Sequence, residues 1–329
     1  MIKLKTITIV VPTYNEEDNI FEIIDRVDKV FSSSENLCNS YDYEIQFIDN
    51  ASKDKTRTII EEVAKDNRHI KAIFNAANYG FSRSCFYGLS QAQGDCAVLM
   101  FADMQDPPEV IPHMVEAWEK GAEVVVGRKT KSRESILKYI ARGIYYKIIN
   151  SISDTEQIEQ FDGFGLYDKS FIQNMRLIND TIPYLRGLVT ELVSEYAVVE
   201  YTQDVRKKGK SKFSFMKCYD TAMLGLTSTS KLLMRIASFI GVFLGILSII
   251  IALITLVIKL MKWDYFNAGA AAIIVGIFFL GAIQLFFLGV LGEYICNINI
   301  RTMQHPIIIE RKRINMGMLV DNEESKTDE

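Results

Sequence analysis

The chain contains no C-x-x-C pair; its five cysteines, Cys38, Cys85, Cys96, Cys218 and Cys296, are scattered. That spacing argues against a zinc site or a disulfide framework and suits a reducing compartment. A secretory signal pattern is also missing at the N-terminus. The first apolar run, Ile7–Val11, is five residues long and leads into Pro12 and acidic residues. Glycine-rich phosphate loops are lacking: neither G-x-G-x-x-G nor G-x-x-x-x-G-K-[ST] follows a strand-like run, which argues against a Rossmann dinucleotide site or a P-loop. Charge of one sign is not in large excess, at net −4 over 329 residues, because the acidic tail "DNEESKTDE" offsets basic clusters elsewhere. That tail reads as solvated and disordered, and no nucleic-acid partner is expected.

What the chain has in quantity is apolar sequence, and it is segregated. Residues 1–230 are an ordinary globular mixture, whereas Ile236–Ile258 is 23 residues without a charge and Ala268–Leu291 carries only Gln284 as a strongly polar residue. At a rise of about 1.5 Å per residue, either run as a helix crosses a hydrocarbon core of about 30 Å. Two buried helices of a soluble core would usually carry a polar stripe, so two membrane spans are expected. Basic residues flank the pair: Arg206, Lys207, Lys208, Lys210, Lys212, Lys217, Lys231 and Arg235 before it, and Arg301, Arg311, Lys312 and Arg313 after it. The intervening loop has only Lys259 and Lys262, which predicts both termini on the cytoplasmic side of the cell membrane. The segment 213–235 reads as an amphipathic helix at the lipid surface. Small-residue stretches such as "AGAAAIIVG" permit close helix packing and hence a homo-oligomer. The expected organisation is a cytoplasmic domain over 1–212, the interface segment 213–235, a transmembrane hairpin over 236–295 and a cytoplasmic C-terminal segment over 296–329.

Over residues 1–130, strand-like runs (6–12, 43–49, 70–74, 96–103 and 123–127) alternate with helical patterns (17–31, 54–66, 82–92 and 109–119). The alternation predicts an α/β fold with a mostly parallel sheet flanked by helices. Ligands bind beyond the carboxyl ends of such strands. The first run leads into "PTYNEE", the second ends at Asp49, and the fourth ends at Asp103 in "FADMQDPPEV". Each carboxylate alone also suits a helix cap or a turn. Together they suit a diphosphate ligand only with a divalent cation between, Mg²⁺ or Mn²⁺, which share oxygen ligands among carboxylates, waters and phosphates.

"VVPTYNEEDNI", "IDNASKDKT", "ANYGFSRS", "ADMQDPPE" and "VRKKGKSKFSF", followed by two spans, resemble the polyprenyl-phosphate glycosyltransferases, family 2 enzymes of GT-A fold. The resemblance covers about residues 5–310. It implies inverting transfer of a sugar from a nucleotide diphosphate, with a UDP-sugar favoured, to a polyprenyl phosphate such as undecaprenyl phosphate. The lipid-linked product would serve modification of a cell-envelope glycan. By resemblance, Pro12, Tyr14, Glu16 and Asp49 hold base and ribose, Asn50 and Ser52 shape that loop, and Asp103 and Gln105 ligate the metal. Arg128 and Arg142 sit where the family places arginines for the acceptor phosphate, and Arg206, Ser211 and Lys212 match a basic loop that closes over phosphates. Asp162 is a candidate for acceptor-side chemistry, and Asp168 reads as structural, near a helix start.

The chain departs from the family pattern at three places. Phe101 stands two positions before Asp103, where an additional Asp is common; Phe81 replaces a Lys or His; and Gly165 replaces an Arg in "FDGFGLYDKSF". These departures motivate a second reading, a catalytically inactive membrane scaffold that binds nucleotide sugar. Transfer to another lipid acceptor would leave the same core motifs. A processive polysaccharide synthase would carry more spans and a Q-x-x-R-W-type motif, and the chain shows neither.

Overall fold

The computed structural model describes residues 4–131, 158, 160–178, 180, 183–203, 270–302 and 306–317, with scattered positions between 239 and 261. They divide into two units, one holding the α/β fold together with residues 306–317 and the other holding the long apolar helix.

The α/β unit is built on an eight-stranded sheet. Its elements in chain order are β1 (Lys5–Thr13), α1 (Ile20–Ser33), α2 (Glu35–Ser40), β2 (Tyr41–Asp49), α3 (Thr56–Asp66), β3 (Ile70–Asn75), α4 (Phe81–Gln91) and β4 (Cys96–Leu99). A 3₁₀ turn (Pro108–Val110) follows, then α5 (Ile111–Glu119), β5 (Val124–Lys131), β6 (Gly165–Asp168), α6 (Lys169–Arg176), α7 (Leu185–Leu192), β7 (Ala197–Thr202) and β8 (Glu310–Ile314). The strand order is β7-β5-β6-β4-β1-β2-β3-β8. The centre, β4-β1-β2-β3, is parallel, while β6 and β8 join antiparallel.

The period of two along β1 produces two cores. Ile7, Ile9 and Val11 face one side, against Ile20, Ile23 and Val27 of α1, Ile60 of α3 and Met114 of α5. Val10 faces the other, with Ile48 of β2, Phe86 and Leu89 of α4, Phe171 of α6 and Leu188 of α7. The i, i+3, i+4, i+7 spacing of Ile20, Ile23, Ile24 and Val27 makes α1 a helix that buries one stripe. The result is three layers with the sheet between two helical faces.

The sheet order reverses at β1: the chain moves outward through β2 and β3, then returns to place β4 on the opposite side of β1. A crevice forms at such a switch point, outside the carboxyl ends of the strands. The expected strand 96–103 is shorter than its apolar run. The ladder ends at Leu99, and Met100 adds one further amide bond to Val10 O at 3.0 Å before the chain turns. Met100 and Ala102 are apolar because they are buried in a core as loop residues. Asp103 therefore lies in a turn four residues beyond the strand.

The helix α8 (Ala270–Thr302) has 33 residues, and its window Phe279–Ile300 has a mean hydropathy of 1.8 with none of it buried in the protein. It is long and apolar enough to cross a membrane, and it covers most of the second expected span. The first span has only scattered helical positions described, so two spans are not confirmed. The amphipathic segment 213–235 and the acidic tail lie outside the described residues.

Candidate active site at the sheet switch point

The turn after β4 alternates in burial: Ala102, Met104 and Asp106 are buried, while Asp103 and Gln105 are half-exposed. Met104 adopts φ 58° and plugs into the core. Its flanking residues are thereby held in a turn in which the Gln105 amide donates to Asp103 Oδ1 at 3.2 Å. The D-x-Q spacing thus puts one carboxylate and one amide on the accessible side, with Pro107 and Pro108 fixing the exit into the 3₁₀ turn. Positive φ is uncommon outside glycine. Among the described residues five non-glycine positions have it, and four of them, Asn15, Ala51, Met104 and Gln160, border the carboxyl ends of β1, β2 and β4 or the Asp162 loop. Backbone strain of this kind persists where surrounding bonds over-determine the loop.

Those bonds are dense between the loops after β1 and β2. The Asn15 amide donates to Ser52 Oγ at 2.9 Å, Glu16 N to Thr56 Oγ1 at 2.8 Å, and Lys53 N to Asn15 Oδ1 at 2.7 Å. Asp49 is fully buried, accepts from the Ser52 amide at 3.2 Å, and pairs with Arg57 at 3.0 Å. Asn50 links three segments, donating to Asn78 Oδ1 and Gly80 O and accepting from Asn75 Nδ2 and Tyr79 N. Of the residues expected at the nucleotide, Pro12, Tyr14, Glu16, Asp49, Asn50 and Ser52 are brought to this one corner by β1 and β2.

A charged cluster lies beside the turn. The ammonium of Lys129, on β5, pairs with Asp162 and lies 4.0 Å from Asp106 Oδ1, with only 12% of its side chain exposed. The Tyr201 hydroxyl, on β7, donates to Asp106 Oδ1. Asp106 Oδ2 and Asp162 Oδ1 are buried without a hydrogen-bond partner among the described residues. Burial, then the neighbouring Asp162 carboxylate, pushes Asp106 up to about 7, against the pull of Lys129 and the Tyr201 hydroxyl. Burial opposes the charge on Lys129, but Asp162, Asp106 and Asp103 outweigh it and raise its pKa. Asp162 and Arg186, in the first turn of α7, both act electrostatically on the Cys85 thiol, which burial pushes up.

The structure brings Asp103, Gln105 and Asp162 to one end of the sheet. Arg128 does not join them: its guanidinium pairs with Glu200 of β7, and strand alternation sends Lys129 the other way. Arg142, Arg206, Ser211 and Lys212 lie outside the described residues. Sequence reasoning missed Lys129 and gave Asp106 no role. The run "VVVGRK" gave no signal for Lys129, because Val124, Val125 and Val126 are buried on both faces of β5 and no parity singles that residue out. Gly165 also has a physical reason, because a Cβ there would sit 2.5 Å from the Val125 carbonyl oxygen across β5 and β6.

A model of the family described as "Glycosyl transferase family 2" matches residues 8–178. The chain is a family 2 glycosyltransferase. It is 32% identical over 307 residues to the SfII prophage-derived bactoprenol glucosyl transferase of Shigella flexneri, covering 93% of this chain and 97% of that one. It is likewise 32% identical to the prophage bactoprenol glucosyl transferase homolog of Escherichia coli strain K12, over 93% of this chain and 98% of the relative. Among solved structures it is similar to mannosyl-3-phosphoglycerate synthase from Rubrobacter xylanophilus, at 16% identity and a TM-score of 0.45, covering 67% of this chain and 71% of that one. The mixed, mostly parallel sheet with flanking helices is GT-A-like, as the family membership requires.

Proposed function

We propose that this glycosyltransferase moves a sugar, with inversion, from a nucleotide diphosphate to a polyprenyl phosphate at the cytoplasmic face of the membrane, and that a UDP-sugar is the donor. The observation that carries the reading is the pairing of Asp103 and Gln105 on the accessible side of one turn, at the switch point of the sheet, beside the Asp162–Lys129–Asp106 cluster. The names of the two bactoprenol-linked relatives and the apolar helix α8 support a lipid acceptor.

In this reading the corner built from Pro12, Tyr14, Glu16, Asp49, Asn50 and Ser52 holds the nucleoside. Asp103 and Gln105 fit a divalent cation, Mg²⁺ or Mn²⁺. Among the described residues no three His, Cys, Asp or Glu side chains gather as metal ligands, and a two-oxygen protein set suits a hard cation that takes its other ligands from waters and donor phosphates. When bound, that cation offsets charge on the leaving diphosphate. A phosphate monoester acceptor is largely ionised near neutral pH, so no strong general base is demanded of Asp162. Asp162, held by Lys129, instead fixes the acceptor side of the crevice. Arg142, Arg206, Ser211 and Lys212 hold phosphates, and Arg128 joins them only by leaving Glu200.

The deciding assay uses membranes containing the protein, undecaprenyl phosphate and a panel of radiolabelled nucleotide sugars. Label should enter an organic-extractable, acid-labile lipid, and EDTA should abolish it. Activity that survives EDTA or Asp103→Ala removes the metal role. Nucleotide-sugar binding without turnover across the panel supports the scaffold reading instead.

A further inference from the structure

Two of the departures from the family pattern touch each other. The rings of Phe81, at the start of α4, and Phe101, at the start of the turn that carries Asp103, lie with centroids 5.1 Å apart and planes tilted by 59°. Phe101 is half-buried and packs against both cores, while Gly163 lies behind it, a Cβ there being 3.6 Å from Phe101 Cζ. Phe81 keeps 49% of its surface exposed, so its ring is open to solvent beside the half-buried Phe101. Its backbone is held firmly: Gly80, at φ 89°, accepts from Asn50 Nδ2 at 3.3 Å, and Asn50 also binds Tyr79 N at 2.9 Å. The pair therefore bridges the Asp49–Asn50 corner and the Asp103 turn, which in the donor-site reading is the interval between base and diphosphate.

Neither ring can accept or donate a conventional hydrogen bond. The polar groups across the corner are also engaged within the protein: Asp49 with Arg57 and the Ser52 amide, Glu16 with Asn19, and Asn50 with Asn75 and Asn78. A site that hydrogen-bonds a substrate hydroxyl strongly rejects the analogue lacking it, whereas an apolar wall does not. We propose that Phe81 and Phe101 form an apolar wall against the donor nucleoside, so that the enzyme holds the ribose by shape and apolar contact and reads its 2′- and 3′-hydroxyls weakly. This inference rests on the donor-site reading above.

The test measures binding of UDP and GDP, each against its 2′,3′-dideoxy counterpart, to the detergent-solubilised full chain with Mg²⁺. For the base that binds, the ribo and dideoxy forms should agree within about threefold, and Phe101→Asp should open a preference for the ribo form of about tenfold or more. A wild-type preference of about tenfold or more for the ribo form overturns the inference, because other groups then read the hydroxyls. An unchanged ratio in a folded Phe101→Asp protein also overturns it. The wild-type comparison stands even if that variant does not fold, and Phe81→Ser, at an exposed position, should weaken both forms alike. Absence of binding by both UDP and GDP overturns the donor-site reading together with this inference, whereas binding with strong hydroxyl discrimination removes this inference alone.

Discussion

Lys129 faces Asp162, Asp106 and Asp103 with most of its side chain out of water. Removing one member of a buried ion pair costs more than the pair contributes, because it leaves a charge without compensation. Lys129→Met should therefore destabilise the α/β unit by about 3 kcal/mol, softened by protonation of Asp106. Thermal unfolding of the solubilised protein reads this, and Lys129→Met combined with Asp106→Asn should recover part of the loss. Equal destabilisation by the single and double variants would show that the cluster does not act as a coupled unit. At this scale the sequence displayed Asp103 openly, since a carboxylate after an apolar run stands out. Asp106 and Lys129 were hidden for a physical reason. Their importance comes from burial next to each other, and the chain distance between them carries no periodic signal.

Elements show where a carboxylate serves structure alone. Asp168 caps α6, accepting from the Ser170 amide at 2.7 Å and from the Trp118 indole at 2.7 Å, as its place near a helix start led us to expect. Burial alone would raise its pKa, but those hydrogen bonds outweigh burial and hold it below the ordinary aspartate value. Its contribution is thus present above the unfolded-state pKa of about 4 and is lost as pH falls through the folded value. Asp168→Ala should cost about 1 kcal/mol at pH 7, and the gap from wild type should close as pH falls below the unfolded-state value and through the lower folded one. Denaturant midpoints at several pH values check both parts. A second element, β8, was not legible at all. "ERKRI" is charged and short, and it pairs with β3 across more than two hundred residues of chain. Its hold is specific: Arg313 binds Gln91 Oε1 at 2.7 Å, Glu310 Oε1 at 2.7 Å and Gly317 O at 3.0 Å, with 11% of its side chain exposed. Arg313→Ala leaves the Glu310 carboxylate without its cation and should lower stability by about 2–3 kcal/mol, visible as a lower thermal midpoint. The parallel centre of the sheet, by contrast, was readable from apolar runs and turn residues. β4 was overextended there because buried loop residues look like strand in a one-letter pattern.

At the scale of the whole molecule, the proposed function requires the crevice to meet an acceptor whose phosphate lies at a lipid surface. The proposed orientation, with the α/β unit facing the cytoplasm, rests on the excess of Lys and Arg on both flanks of the apolar region, since basic loops are retained on that side. Cys38 offers a direct probe, being a free, exposed thiol on α2, whereas Cys85 and Cys96 are buried. In a variant with Cys218 and Cys296 replaced by serine, a membrane-impermeant maleimide should leave Cys38 unlabelled in intact cells and label it after permeabilisation. A cysteine introduced at Asp264, in the loop between the two apolar runs, should show the reverse and react in intact cells. Labelling of Cys38 in intact cells would place the crevice on the outer face, away from cytoplasmic nucleotide sugars. Protection at both sites would fit a chain that does not cross the bilayer, because β8 after the apolar region pairs with β3 before it and so requires an even number of crossings. The pair of measurements therefore decides at the same time whether the two apolar runs cross the bilayer as a hairpin and which face the α/β unit occupies, and each outcome changes which pool of donor the Asp103 turn can reach.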